Sequence, residues 1–138
     1  MKANELFTGA LARVNRDGLC IKKDTIVEVR AVDADDKLIE KGLIGSAHCR
    51  PLDDNQFEGG IWCEYLDPIP LTPEILEKNG FSNNYVEDDL SYATDAGGDV
   101  IGVHIVAGKW ILDEMYFNYF HQLQLAFRLC GIEKEIVL

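Results

Sequence analysis

The strongest structural signal in the sequence is the run Thr25–Val32, which is rich in β-branched side chains and partly alternates apolar with polar residues. This pattern is typical of a strand with one buried face. Turn-forming residues flank the run, at Asn15–Gly18 and at Asp33–Asp36. Because a strand needs neighbours to cover its apolar face, the N-terminal part of the chain is predicted to be a β unit.

Three further runs of strand character accompany it, at 9–14, 38–48 and 56–65. Gly42 and Gly45 interrupt the second of these runs, and glycine inside a strand is typical of a bulge or a bend. Short strands with bends favour a small curled antiparallel barrel. We therefore predict an SH3-like β-barrel in residues 1–68.

A short helix is predicted next. Pro68–Leu71 is an extended connector, because each proline fixes its own φ and restricts the residue before it. Thr72 is a favourable N-cap, Pro73 suits the first helical position, and Gly80 is typical of the residue past a helix end.

The rest of the second half is predicted to be a meander of strands before the last helix. Residues 82–84 are turn formers, and three strand-like runs follow at 90–94, 100–107 and 110–115, separated by turns that contain glycine. Such short connections predict antiparallel pairing. A short final strand is expected at 133–138.

The clearest helical period lies at 119–130, where Asn118 is the predicted N-cap and Gly131 the predicted end. Its apolar stripe consists of residues three and four apart, namely Phe120, Leu123, Phe127 and Cys130. We expect this stripe to be core. The predicted fold class is α+β: the N-terminal barrel, then a short helix, antiparallel strands and a C-terminal helix in residues 69–138, packed as one unit with residues 1–68.

The net charge excludes several partners. The chain has 13 basic and 24 acidic side chains, a net charge of −11, with 9 and 13 in residues 1–68 and 4 and 11 in residues 69–138. Direct nucleic-acid binding is not expected, because counterion release needs clustered Lys and Arg. Anionic membranes are disfavoured for the same reason, and no apolar run is long enough to span a bilayer. The first residues lack the apolar region of a signal peptide, so a cytoplasmic protein is predicted.

The four cysteines predict neither disulfides nor a metal centre. Cys20, Cys49, Cys63 and Cys130 show no paired spacing, and buried, reduced thiols are expected. A zinc site formed by Cys49, Cys63, His48 and a remote histidine is the alternative, although His48 and Cys49 are neighbours whose side chains would leave a strand on opposite faces. No metal and no cofactor are predicted.

No enzyme is predicted either. The sequence lacks nucleophile elbows, phosphate-binding loops and metal-binding helices. Its paired acids, such as Asp53–Asp54, are typical of solvated turns. Cys63 with His104 stays open as a nucleophile and base on residue type alone.

Three stretches together resemble a known family. They are MKANEL at 1–6 with Gly9 following, PIPLTPEIL at 68–76 with Gly80–Phe81 following, and HQLQ at 121–124 with Leu129–Gly131 following. This order resembles uncharacterised small proteins of phages, prophages and other mobile elements of gut anaerobic bacteria. The chain departs from that pattern at 7–10 and at 125–128. The resemblance implies a genomic context and no mechanism.

The same resemblance draws attention to the start of the last helix. Phe117, Tyr119, Phe120, His121 and Gln122 are candidate interaction residues, whereas the alternative role of His121 is to bond a neighbouring loop and hold the helix. We expect a non-catalytic protein-interaction module whose partner is a host or phage protein. The alternative is an acidic DNA mimic, an inhibitor of a host DNA-binding enzyme. The sequence carries no indication of the oligomeric state.

Overall fold

The computed structural model describes residues 1–33, 45–53, 58–86, 89–96, 99–106, 109–112 and 115–138. The chain divides into two compact units, Met1–Ile69 and Pro70–Leu138. Across the described ranges, no helix is long and apolar enough to cross a membrane. The predicted packing of the two parts as one unit stays a prediction.

In its described residues, the first unit is an antiparallel sheet of five strands with two short 3-10 helices. The strands are β1 (Leu11–Val14), β2 (Ile26–Asp33), β3 (Ser46–Pro51), β4 (Gly59–Trp62) and β5 (Leu66–Pro68). The 3-10 helices are Ala3–Glu5 and Cys63–Tyr65. The strand order is β4-β3-β2-β1-β5, so the chain meanders from β1 to β4 and then returns to place β5 beside β1.

The strand predicted at Thr25–Val32 is confirmed as β2. Val27 and Val29 are fully buried, whereas Arg30 is exposed, as expected for a strand with one core face. The pairing of β2 with β3 shifts between Val29 and Ala31, which bends the sheet at that point. The core of this unit also contains Ala10, Ala12, Val14, Ala47, Cys49, Ile61, Cys63 and Leu66.

The predicted barrel is not closed. Within the described ranges, β4 and β5 form the two edges of the sheet, and no ladder joins them. The fourth predicted strand is shorter than expected, because the 3-10 helix Cys63–Tyr65 interrupts it and β5 begins directly afterwards. Of the predicted run 38–48, residues 46–48 belong to β3; its bend at Gly42 lies outside the described residues.

The described part of the second unit combines another antiparallel sheet of five strands with two helices. Its elements are α1 (Pro73–Lys78), β6 (Ser82–Val86), β7 (Asp89–Ala96), β8 (Asp99–Val106), β9 (Lys109–Leu112), β10 (Met115–Phe117) and α2 (Phe120–Leu129). The strand order, β10-β9-β8-β7-β6, is a simple meander. The α+β class with antiparallel sheets and a C-terminal helix is therefore confirmed. Residues 82–84, predicted as a turn, belong instead to β6 and pair with β7.

Helix α1 forms where its capping residues predict it. The Oγ1 of Thr72 accepts a hydrogen bond from the Ile75 backbone N–H at 3.4 Å, and Pro73 occupies the first helical position. Gly80 has a φ of 79°, the left-handed conformation that ends helices. Leu76 is fully buried and anchors the helix.

The C-terminal segment is held by a side chain and not by the predicted strand at 133–138. Asn79, which is 7% exposed, donates its amide to the carbonyl oxygens of Ile75 at 2.7 Å and Val137 at 2.6 Å. Its Oδ1 accepts the Val137 N–H at 2.7 Å. One amide thus makes the two backbone hydrogen bonds that a neighbouring strand would make to Val137.

The apolar stripe predicted for helix α2 is buried, except at its last residue. Phe120, Leu123 and Phe127 are at most 2% exposed. Cys130 does not follow them, because the helix ends at Leu129 and its next residue turns outward to solvent. The N-cap is Tyr119 and not the predicted Asn118.

Candidate functional site

The five candidate interaction residues at the start of α2 are mostly interior. Phe117, Phe120 and His121 are 3%, 0% and 4% exposed, whereas Tyr119 and Gln122 are partly exposed. A surface built from this group would therefore present two of the five side chains to a partner. Its interaction role stays a prediction.

The contacts of these residues indicate a packing role. The Tyr119 and His121 rings stack, with centroids 6.0 Å apart and planes inclined by 13°. The Oε1 of Gln122 accepts the backbone N–H groups of Asn118 at 2.9 Å and Tyr119 at 3.2 Å. These bonds satisfy donors at the helix N-terminus, which otherwise have no intrahelical partner.

Large apolar side chains reach solvent at other places. They are Leu19, Leu52, Trp62, Tyr116, Leu125, Leu129 and Val137. Leu19 is the most extreme, with a relative exposure of 106%, and it lies in the loop that joins β1 to β2. A fully exposed leucine contributes nothing to a folded core, so its loop is a candidate binding element.

This loop forms one wall of a cleft in the first unit. The cleft has a volume of about 170 Å³ and is bounded by β1, the β1–β2 loop, β4 and the second 3-10 helix. Its lining residues are Val14, Arg16, Asp17, Gly18, Ile21, Ile61 and Tyr65. Ligand pockets for small molecules are typically about 300–1,000 Å³, so this cleft is of a size for one side chain.

The base and tip of the loop are closed by backbone hydrogen bonds. Val14 donates to the carbonyl of Thr25 at 2.9 Å, and Asp24 donates to the carbonyl of Val14 at 2.8 Å. Asp24 has a φ of 67°, a conformation in which Asp is tolerated better than most residues. At the tip, Gly18 donates to the carbonyl of Ile21 at 2.8 Å.

Asn15 fastens the loop to the opposite wall. Its backbone N–H donates to the Tyr65 carbonyl at 3.0 Å, and its side-chain amide donates to the Glu64 carbonyl and to Oδ1 of Asp67, both at 2.9 Å. The two walls of the cleft are thereby joined without a ligand. A cleft that is formed in advance lowers the ordering cost of binding.

At the cleft, the charged side chain of Arg16 lies over the aromatic ring of Tyr65. The Arg16 guanidinium carbon lies 4.4 Å from the Tyr65 ring centroid, within the range of a cation–π contact. The exposed Arg16 thus contacts a residue that itself packs on the core. Its guanidinium keeps its planar edges for further hydrogen bonds.

The cysteines divide into two pairs. Cys49 and Cys63 are buried, whereas Cys20 and Cys130 are exposed, so the expectation of burial is wrong for the latter two. Burial, and to a smaller extent the charge of Cys63, raises the pKa of the Cys49 thiol to about 12. Burial also raises the pKa of Cys63, partly opposed by the positively charged N-terminus.

These thiols are poorly suited to the chemistry left open by the sequence. A raised pKa disfavours the thiolate, which is the form that binds zinc or attacks a carbonyl. His48 is exposed on β3, beside the buried Cys49. Cys63 and His104 belong to different units. In the part of the chain that the structure describes, no group of three or more His, Cys, Asp or Glu side chains could hold a metal ion.

The sequence pattern predicted only a turn at Asn15–Gly18. Leu19, a large apolar residue in a polar stretch, is a sequence signal that could have pointed to the cleft, whereas the contact between Asn15 and Asp67 is visible only in the structure. Comparison of the chain with protein-family models, curated proteins and solved structures finds no significant match.

Proposed function

We propose that this chain is a non-catalytic protein-interaction module, and that its binding surface is the cleft between the β1–β2 loop and the second 3-10 helix. The observation that carries the proposal is the preformed cleft, about 170 Å³ in volume, beside the fully exposed Leu19. Binding energy in protein interfaces is concentrated in a few anchor side chains that fill such pockets. An apolar pocket of this size accepts one anchor.

Capture of partners from a host lysate tests this function, with Leu19→Ser as the informative variant. Because the Leu19 side chain is fully exposed, the substitution should leave the stability of the fold unchanged while it removes apolar area that a partner would contact. Leu129→Ser is the matched control, since Leu129 is also exposed, at 71%, but belongs to the other unit. Loss of the captured protein with Leu19→Ser alone supports the cleft; loss with Leu129→Ser alone moves the interface to α2.

The second candidate function is the acidic DNA mimic. Residues 69–138 carry 4 basic and 11 acidic side chains, an excess that favours association with a basic, DNA-binding surface. In that case duplex DNA added to the capture experiment would displace the partner, and high salt would release it. Capture that is insensitive to duplex DNA opposes this candidate.

The proposal also includes an SH3-like fold for the first unit, a cytoplasmic location and a phage or mobile-element origin. An SH3-like barrel is supported by the return of β5 beside β1 and by the 3-10 helix just before β5. It requires the first sheet to curl until its edge strands approach each other, which a crystal structure would test. Four free cysteines support a reducing, cytoplasmic location, and the matching stretches at 1–6, 68–76 and 121–124 support a phage or mobile-element origin.

A further inference from the structure

The cleft lies in a locally basic part of an acidic chain. Residues 13–25 carry four basic and two acidic side chains, a net charge of +2, whereas the whole chain has a net charge of −11. This segment contributes five of the residues that line the cleft, namely Val14, Arg16, Asp17, Gly18 and Ile21. Glu64, in the 3-10 helix of the opposite wall, lowers the net charge of the elements that bound the cleft to +1, which is still opposite in sign to the charge of the whole chain.

Both acids of this segment already have structural partners. The Asp24 carboxylate lies 4.0 Å from Arg13, and Oδ1 of Asp17 accepts the Lys23 backbone N–H at 2.9 Å. Arg16, Lys22 and Lys23 are exposed, and Arg16 makes no ion pair with a described residue. Asp17 and Asp24 are exposed as well, but each of these carboxylates lies next to a group of the same segment, whereas Arg16 is a cation of the cleft lining that makes no ion pair with a described residue.

The position of Arg16 favours hydrogen bonds to a carboxylate of a ligand. Its guanidinium carbon lies over the Tyr65 ring, 4.4 Å from the ring centroid. A guanidinium held in this way loses less entropy when it forms paired hydrogen bonds to a carboxylate. Beside it, Ile21 and Ile61 supply an apolar wall for a neighbouring side chain of the same ligand.

We propose that the cleft binds a short acidic segment of a partner protein, with one apolar side chain against Ile21 and Ile61 and an adjacent Asp or Glu carboxylate on Arg16. This inference rests on the proposed function and names its partner. A basic segment would bring its own cations against Arg16, Lys22 and Lys23. The negative charge elsewhere on the chain opposes this ligand weakly, because physiological salt screens charges beyond about 8 Å.

A random short-peptide library tests the inference. The peptides are displayed as internal segments between flexible linkers, so that any carboxylate selected belongs to a side chain. The full chain is used for selection, in parallel with Arg16→Glu and with Arg50→Glu, an exposed arginine of the same unit that does not line the cleft. Lys22→Glu is the second variant, should Arg16→Glu fail to fold by circular dichroism; it reverses an exposed charge of the same loop, next to the lining residue Ile21.

The expected result is enrichment of peptides in which Asp or Glu adjoins a large apolar residue. Their affinity should fall about tenfold or more with Arg16→Glu or Lys22→Glu and stay unchanged with Arg50→Glu, because like charges would then oppose each other at the cleft. Selection of basic or uncharged peptides whose binding is lost with Leu19→Ser would overturn the acidic ligand and leave the proposed function intact. No enrichment over an empty display scaffold would overturn both.

Discussion

Replacing Phe127 with alanine should destabilise the second unit strongly. The Phe127 side chain is 2% exposed, and its ring centroid lies 6.2 Å from that of Phe81 at an angle of 44°. Burial of a phenylalanine and the cavity left by its removal together cost about 3–5 kcal/mol in protein cores. A tilted aromatic pair adds about 0.5–1.5 kcal/mol, so we expect the upper part of that range.

Urea denaturation followed by the fluorescence of Trp110 measures this loss. Trp110 is 7% exposed and donates its indole N–H to the Leu71 carbonyl at 3.2 Å, so its emission reports on the second unit. A Trp62→Phe background removes the signal of the exposed tryptophan in the first unit. With a slope of about 1–3 kcal/mol per molar urea, the midpoint should fall by more than about 1 M.

The matched control is Leu129→Ala, on the same helix but 71% exposed, which should change the free energy of unfolding by no more than about 0.5 kcal/mol. A Phe127→Ala protein within about 1 kcal/mol of the wild type would refute the reasoning, because a core phenylalanine cannot be removed at so low a cost. The stripe of α2 would then have to be a binding face.

Other predictions follow from hydrogen bonding and thiol burial. Thr72→Ala should lower the free energy of unfolding by about 1 kcal/mol through loss of the N-cap, measured by urea denaturation against Thr72→Ser, which keeps the hydroxyl. Asn79→Ala should speed amide hydrogen exchange in the C-terminal segment, whereas unchanged exchange would show that the amide does not hold it. Cys20 and Cys130 should react with a thiol reagent in the native state, and the two buried thiols only after unfolding; four equally fast thiols would contradict this. Since the pKa of Cys49 rises from 9.0 to about 12 in the folded state, its contribution to stability is complete below pH 9.0 and declines as the pH rises towards 12; Cys49→Ala should flatten that decline.

Local signals in the sequence predicted several elements well. The cap formed by Thr72 and Pro73, the alternation of Thr25–Val32 and the period of Phe120 and Phe127 each depend on neighbours within a few residues, and the structure has them. Such patterns are decided by backbone preferences and by one buried face. They are therefore readable before any tertiary contact is known.

Features that depend on distant partners were not predictable in this way. Residues 82–84 have the composition of a turn, but pairing with β7 makes them a strand. Residues 133–138 look like a strand, but they form none, and the Asn79 side chain instead bonds the backbone N–H and carbonyl of Val137. The cleft depends on Asn15 reaching Asp67 across 52 positions of sequence, a contact that no local pattern encodes.

The most direct test of the proposed binding surface is an NMR titration of the full chain with the best peptide from the library selection. The backbone amides of Gly18, Ile21 and Tyr65 should show the largest chemical-shift changes, since these residues line the cleft. The amides of Tyr119 and Gln122 should move little. Changes concentrated at the start of α2, with the cleft amides unaffected, would contradict the proposed site and favour the surface that the sequence alone suggested.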